Sequence, residues 1–273
     1  MSSSSHSPIL VSSRPVYPFA YQLIPALSKT TTASPNVMTD GYISYTFSPR
    51  GADYFFKFLL KVRSVRELRV ALEYNRFLVY NQPSVLPPPI SMDAYQRPRW
   101  LLDFIAETAR GTVVPQEIWM PQAPQDHQRH IADANLQMPI FFMQLNGAVG
   151  IPLRLAASRT TNGSLAGGTY PALMGGRVTT HFCLKWLGYS EFRRQIELQA
   201  HGVPLTIERL VHKIGSFVDA FVQESANAPS SYPQWRVGTH PTVITRENIT
   251  IMGLVHVSAG TWMPILQLNR HIV

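Results

Sequence analysis

Cysteine is all but missing: Cys183 is the only one in 273 residues. That excludes an intramolecular disulfide, a CxxC redox pair and a cysteine-rich zinc site. Cys183 sits in the apolar run Phe182-Cys183-Leu184 and reads as a small buried hydrophobe, not as a nucleophile. Charge is scarce as well, at 15% of residues, against roughly 25% in an average soluble domain. Lysine is rarer still. Lys29, Lys57, Lys61, Lys185 and Lys213 are the whole set, so the other 19 of the 24 basic residues are arginine. Long uninterrupted hydrophobic runs are also lacking. Residues 134–153 and 248–269 carry no Asp, Glu, Lys or Arg. Pro139, Gly147 and Pro152 break the first, and Gly253, His256 and Pro264 the second, so both are poor membrane spans. No early Lys or Arg opens a signal peptide, and Pro8, Pro15, Pro18 and Pro25 divide the N-terminal apolar pieces. These absences point to an intracellular protein, cytoplasmic or nuclear, with no membrane span.

What is present is enough to fold. The apolar fraction is 45% and the formal net charge is +8. Arginine's planar fork suits carboxylates, phosphates and interfaces. A basic balance permits attraction to nucleic acid, but it does not decide a fold. Residues 1–40 are rich in Ser, Thr and Pro, with only Arg14, Lys29 and Asp40 charged, which is the look of an arm. Val16-Tyr17-Pro18-Phe19-Ala20-Tyr21 and Leu23-Ile24 within it are apolar enough to dock on a neighbour or on the body. Residues 41–273 read as one domain.

Along that domain, Tyr42, Ile43, Tyr45 and Phe47 are β-type residues, ended by the turn signal Ser48-Pro49-Arg50-Gly51. Residues 52–77 read as helical. Val65, Leu68 and Leu72 form a stripe there, and Ser64 with Glu67 forms a capping box. Pro87-Pro88-Pro89 is a stiff connector. Residues 100–108 suggest a short helix. Residues 140–151 are the clearest hairpin, because Asn146-Gly147 accepts the positive φ of a type I′ turn. The glycine-rich loop 158–177 is long enough to be functional or mobile. Residues 178–186 and 195–200 read as strands. The best helix starts at the N-cap Thr206 and repeats Ile207, Leu210, Val211, Ile214, Phe217, Val218, Phe221 and Val222 at helical spacing. Two strands close the chain around Ala259-Gly260, and Pro264 suggests an edge position or a bulge. The fold class is α+β: a mixed or antiparallel sheet covered by two or three helices, the 206–224 and 64–77 helices among them.

Catalytic and ligand motifs are few. There is no GxGxxG and no glycine-lysine phosphate loop, so no nucleotide cofactor is implied. His127, His130 and Asp133 share a segment but lack the i, i+4 spacing of a zinc helix, and a solvated loop is the plainer account. Ser258 lacks the glycine and the following helix of a nucleophile elbow. No metal or other cofactor is assigned. Residues 57–76 hold Lys57, Lys61, Arg63, Arg66, Arg69 and Arg76 against Glu67 and Glu73. On a helix, Arg66, Arg69 and Arg76 would share a side facing phosphates, with Arg63 beside them, or they would form an ordinary solvated face. Lys185, Trp186, Tyr189, Phe192, Arg193 and Arg194 make a second basic-aromatic group, fit for base stacking or for a core with a basic rim.

The stretch Gly176-Arg177-Val178-Thr179-Thr180-His181, with Trp186-Leu187-Gly188-Tyr189 and Arg194-Gln195-Ile196, resembles a lineage-restricted set of proteins of mushroom-forming basidiomycete fungi. Those proteins carry a Trp-Pro-Gly-Tyr turn, an Arg-Gln pair and a Pro-started helix. Pro204-Leu205-Thr206, Val218-Asp219-Ala220-Phe221, Trp235-Arg236-Val237-Gly238 and the ending from Val257 through Trp262 to Gln267 are similar too. The likeness covers about residues 135–273, and more weakly the chain from about residue 60, with Leu187 in place of the usual Pro and Met263 in place of the usual Gln. It implies a source and a shared fold, but no activity. The motif residues His181, Trp186, Gly188, Tyr189, Arg194, Gln195 and Trp262 are read as structural.

The leading functional expectation is a non-enzymatic binding or self-assembling protein, with itself or another protein as partner. Nucleic-acid binding through Arg63, Arg66, Arg69 and Arg76 is one alternative. An enzyme with its pocket under the 158–177 loop and His181 as base is the other.

Overall fold

The computed structural model describes residues 37–158, 164–200 and 202–272. The N-terminal arm up to residue 36 lies outside them. Two helices lead, α1 (Val37–Asp40) and α2 (Tyr42–Leu59). A four-stranded antiparallel sheet follows, from β1 (Val70–Glu73), β2 (Arg76–Val79), β3 (Ser91–Met92) and β4 (Pro98–Phe104), in the order β1-β2-β4-β3. Next come β5 (Ile140–Phe141), β6 (Ile151–Pro152), α3 (Leu153–Ala157), β7 (Thr179–Leu184) and β8 (Phe192–Glu197). A two-stranded ribbon, β9 (Gln199–Ala200) with β10 (Val203–Pro204), leads into α4 (Ile207–Glu224). The chain then turns through β11 (Ile249–Ser258) and β12 (Thr261–Leu268). The second sheet is six-stranded and mixed. Its order is β5-β11-β12-β7-β8, with β6 also on β11, and the β12–β7 pair is parallel. The α+β class holds.

The β11–β12 hairpin is the middle layer. Every residue of β12 and all but Thr250 of β11 are buried. Ile251, Leu254, Trp262 and Leu266 join one core cluster with the apolar stripe of α4, Leu210, Ile214, Phe217 and Phe221 among it. Met252, Val255, Val257, Met263 and Ile265 join the other, with Phe55, Phe56 and Leu59 of α2 and with β2 and β4. A register shift between Ile251 and Gly253 lets the strand change which side chains face which layer. α4 begins as its sequence predicts: the Thr206 hydroxyl accepts from the Arg209 N–H at 3.3 Å.

Three sequence expectations are corrected. Residues 42–47 are helical, not extended. Burial of Tyr42, Ile43 and Phe47 against the core outweighs their β preference. Pro49 disfavours a helical ψ at Ser48, which leaves the helix with ψ 162° and φ 64°, and the Ser48 hydroxyl accepts from the Gly51 N–H at the start of the next segment. Gly41 offers no side chain to cap α2, so Asp103 of β4 supplies the acceptor, taking the Ile43 N–H at 3.0 Å. Burial pushes the Asp103 carboxyl well above its ordinary pKa, against the pull of the backbone donors around it.

Second, no helix spans 64–77. Ser64 does cap, but only a 3₁₀ turn, Val65–Glu67. Val70, Leu72, Phe77 and Val79 then fit a two-residue period, and the chain turns at Tyr74-Asn75 into the β1–β2 hairpin. Third, residues 98–104 form β4, with all but Pro98 buried. The chain does turn at Asn146-Gly147, with Gly147 at φ 85° and Met143 paired to Val149, but Asn146 keeps a negative φ, so the turn is not type I′; the Gly147 N–H donates to the Gln144 carbonyl at 2.9 Å. Pro264 lies on an inner strand, not an edge. β7 pairs only with Thr261 and Trp262. Further along, the Gln116 side chain donates to the Pro264 carbonyl at 2.7 Å.

Gly215 lets α4 approach α3. A Cβ there would lie 2.6 Å from the Ala156 carbonyl carbon and 2.7 Å from its Cβ. Gly215→Val therefore overpacks this contact and lowers stability by about 1–3 kcal/mol. A fall in the urea midpoint measures it, and the exposed neighbour change Ser216→Val shifts stability by less than about 0.5 kcal/mol.

Candidate functional site

Two sheet edges share one hollow. β3 ends the four-stranded sheet and β5 ends the six-stranded one. Ser91 and Met92 of the first, with Ile140 and Phe141 of the second, line a groove of about 520 Å³. One wall is the Pro87-Pro88-Pro89 connector, fixed where the Trp100 indole N–H donates to the Pro87 carbonyl at 3.0 Å. The other wall is Ala166, Gly167, Tyr170, Pro171 and Leu173 of the glycine-rich loop. The described part of that loop is a stitched strap. Ala166 N–H donates to Met143 O at 2.8 Å, and Ala172 N–H to Leu205 O at 2.7 Å. The first amides of α4 are satisfied by the same strap: Ile207 donates to Tyr170 O and Glu208 to Gly168 O.

The groove has a distinct chemistry. Its lining contains no Asp, Glu, Lys, Arg or His. Pro87, Pro88, Pro89, Pro139 and Pro171 supply backbone without N–H groups, so the apolar walls present few donors in need of a partner. The polar side chains are Ser91, Gln137 and Tyr170, and Ser91 Oγ is buried with no hydrogen-bond partner among the described residues. Met92 and Leu173 stand at the rim, 50% and 41% exposed. A volume within roughly 300–1,000 Å³, apolar walls and one or two convergent polar groups match the general features of a ligand site. A second hollow of about 480 Å³ lies beside Gln223, Thr239 and Arg246. There the Arg246 guanidinium already pairs with Asp219 at 3.4 Å.

The sequence-predicted residues fall elsewhere. His181 is on β7, half-buried, and lines neither hollow. Burial and the nearby Arg193 lower its pKa, against a hydrogen bond at Gly260. The glycine-rich loop does cover a pocket, therefore, but His181 is not in it. Without the helix, the basic residues are spread over several elements. Arg63, Arg66 and Arg69 are exposed around the 3₁₀ turn, while Arg76 on β2 pairs with Glu73 at 3.6 Å. The Lys61 ammonium donates to the Ala132 and Ala134 carbonyls at 2.6 and 2.7 Å.

The motif residues divide between core and surface. Trp186 is buried, its indole N–H donates to Trp235 O at 2.8 Å, and it contacts Phe221. Gly188 takes the positive φ of its turn, at 84°. The Tyr189 hydroxyl accepts from the Val237 N–H at 3.0 Å. Arg194 binds both oxygens of Glu224 on the surface, and Gln195 is exposed on the edge strand β8. Among the described residues no group of three or more His, Cys, Asp or Glu is placed to hold a metal. His127 pairs with the Tyr54 hydroxyl at 2.6 Å, and Asp133 accepts from Gln128. The Cys183 thiol is buried and pushed up to about 12, chiefly by that burial.

Sequence reasoning missed the groove and the residue behind it. His256 is buried, stacked on Trp262 with ring centroids 4.5 Å apart. Its Nδ1 accepts the Gln137 N–H at 2.9 Å and so anchors the segment that brings Gln137, Met138 and Pro139 to the groove. The uncharged 134–153 stretch and the triple proline were the available signals, and both read as plain strand and linker. No family model, curated protein or solved structure matches the chain. No helix among the described residues is long and apolar enough to cross a membrane.

Burial, with Arg177 adding to it, pushes the His256 pKa down to about 3 from an ordinary 6.5. Between those values the unfolded chain holds the extra proton, so this stability is present above pH 6.5 and lost as pH falls toward 3. At about 1.4 kcal/mol per pH unit, His256 removes about 2 kcal/mol between pH 6.5 and 5. Urea unfolding at pH 7 and pH 5 measures the loss, and His256→Gln flattens that part of the difference.

Proposed function

We propose that the protein is a non-enzymatic binding protein whose ligand is an uncharged, mainly apolar group held in the groove between β3 and β5. One observation carries the proposal: about 520 Å³ of preformed hollow, without a charged side chain in its lining and with an unpartnered buried hydroxyl at Ser91. Burying a charge in such a site costs far more than burying an alkyl or aromatic body, so the groove selects against ions. Binding is the half of the sequence expectation that the groove supports, and self-assembly draws no support from it. Nucleic-acid binding through Arg63, Arg66, Arg69 and Arg76 has less behind it, because the helix that would align them is not formed. Kinship with the basidiomycete set is a separate proposal that carries no activity.

N-phenyl-1-naphthylamine, an uncharged apolar fluorophore, tests the reading. It binds saturably at one site, and Met92→Glu with Leu173→Glu weakens it at least tenfold. Both positions are rim-exposed, so the thermal midpoint stays within a few degrees of the parent. Equal binding by parent and double variant contradicts the assignment.

A further inference from the structure

A preformed apolar groove open to water attracts any apolar segment tethered near it, and this chain carries one. We propose that residues Val16–Ile24 of the chain's own N-terminal arm seat in the groove, so that an outside ligand binds by displacing them. The inference rests on the groove reading above and deepens it by naming the first occupant.

Charge is the first argument. No Asp, Glu, Lys or Arg occurs between Arg14 and Lys29, and none lines the groove. An uncharged wall rejects most other segments of a chain with a net charge of +8 but imposes no desolvation penalty on this one. Within the segment, Val16, Tyr17, Phe19, Tyr21, Leu23 and Ile24 supply apolar and aromatic side chains for the walls.

Reach is the second. The arm joins the body beside the far end of β4: the Ala106 N–H donates to Asp40 O at 2.9 Å, and Gly41 bridges Ile105. Trp100 and Leu101, on the same strand, line the groove. Four residues from Leu101 to Ile105 at about 3.3 Å each put the groove about 13 Å from that junction. Residues 25–36 can extend to about 40 Å, several times what is needed. A short tether holds a segment near its site at an effective concentration in the millimolar range, so even a weak contact is occupied.

Form is the third. Both β3 and β5 are terminal strands, and a segment running along such an edge can add backbone hydrogen bonds to side-chain burial. Pro15, Pro18 and Pro25 favour an extended backbone over a helix, which is the form that lies along an edge.

The test uses the full chain. A variant with Tyr17→Ser, Phe19→Ser and Tyr21→Ser is compared with the parent in N-phenyl-1-naphthylamine titrations. The expected result is at least tenfold tighter probe binding by the triple variant, reversed by adding a synthetic peptide of residues 15–26. The conservative change Tyr17→Phe leaves binding near the parent value. Equal affinity in parent and triple variant, with the Met92→Glu, Leu173→Glu change still weakening binding at least tenfold, overturns the arm proposal and leaves the groove reading intact. Failure of any form to bind the probe overturns the groove reading itself. A parent affinity that falls as protein concentration rises, together with a dimer in light scattering, places a second copy's arm in the groove and overturns the intramolecular proposal.

Discussion

A β-hairpin buried on both faces is the constraint from which the rest follows. Residues 248–269 hold no Asp, Glu, Lys or Arg, and their strands leave almost nothing exposed. Each large apolar side chain there is worth about 1.5–3 kcal/mol when removed from water, but only if something covers it. One covering layer can serve only one face. The chain therefore builds two: α4 with α3 on one side, and α2 with the four-stranded sheet on the other. The shift at Met252 keeps both faces apolar, and Gly253 leaves room for the Ile140 carbonyl. The one imidazole in this layer, His256, stays neutral because its burial leaves no room for a hydrated charge.

Two layers on one keel leave two sheet edges side by side, and edges are where a β protein is exposed to unwanted pairing. Here β3 and β5 are screened by the proline connector and by the strap of the glycine-rich loop. Proline suits that task because it covers apolar surface without presenting a donor in need of a partner. What remains between the two screens is a hollow that neither layer fills. The groove is a by-product of how the layers meet, and its uncharged walls follow from the same shortage of charge that the composition shows.

Legibility in the sequence followed how local each cause was. The α4 stripe, its Thr206 cap, the Asn146-Gly147 turn and the closing hairpin depend on neighbours in sequence, and all were readable. The helix at residues 42–47 was not, because its cap comes from Asp103, some 60 residues away, and its burial from strands that follow it. Val65, Leu68 and Leu72 fit a helical stripe, but Leu68, Val70 and Leu72 fit a strand equally well, and only pairing with β2 decides between them. β4 has no alternation because both its faces are covered. The site was less legible still. Its residues come from five separated segments, and none of them carries a charged group to draw notice. The motif around Trp186 and Tyr189 drew notice, and both rings lie against Phe221 of α4.

The groove contributes three of the chain's nine methionines, Met92, Met138 and Met143. Met120, Met174, Met252 and Met263 lie outside it. A methionine-methyl NMR spectrum of the full chain, recorded with and without N-phenyl-1-naphthylamine, therefore reads the site directly. The aromatic probe shifts the resonances of Met92, Met138 and Met143 and leaves those four in place. Shifts confined to Met120, Met174, Met252 or Met263, with the groove methyls unmoved, contradict the account.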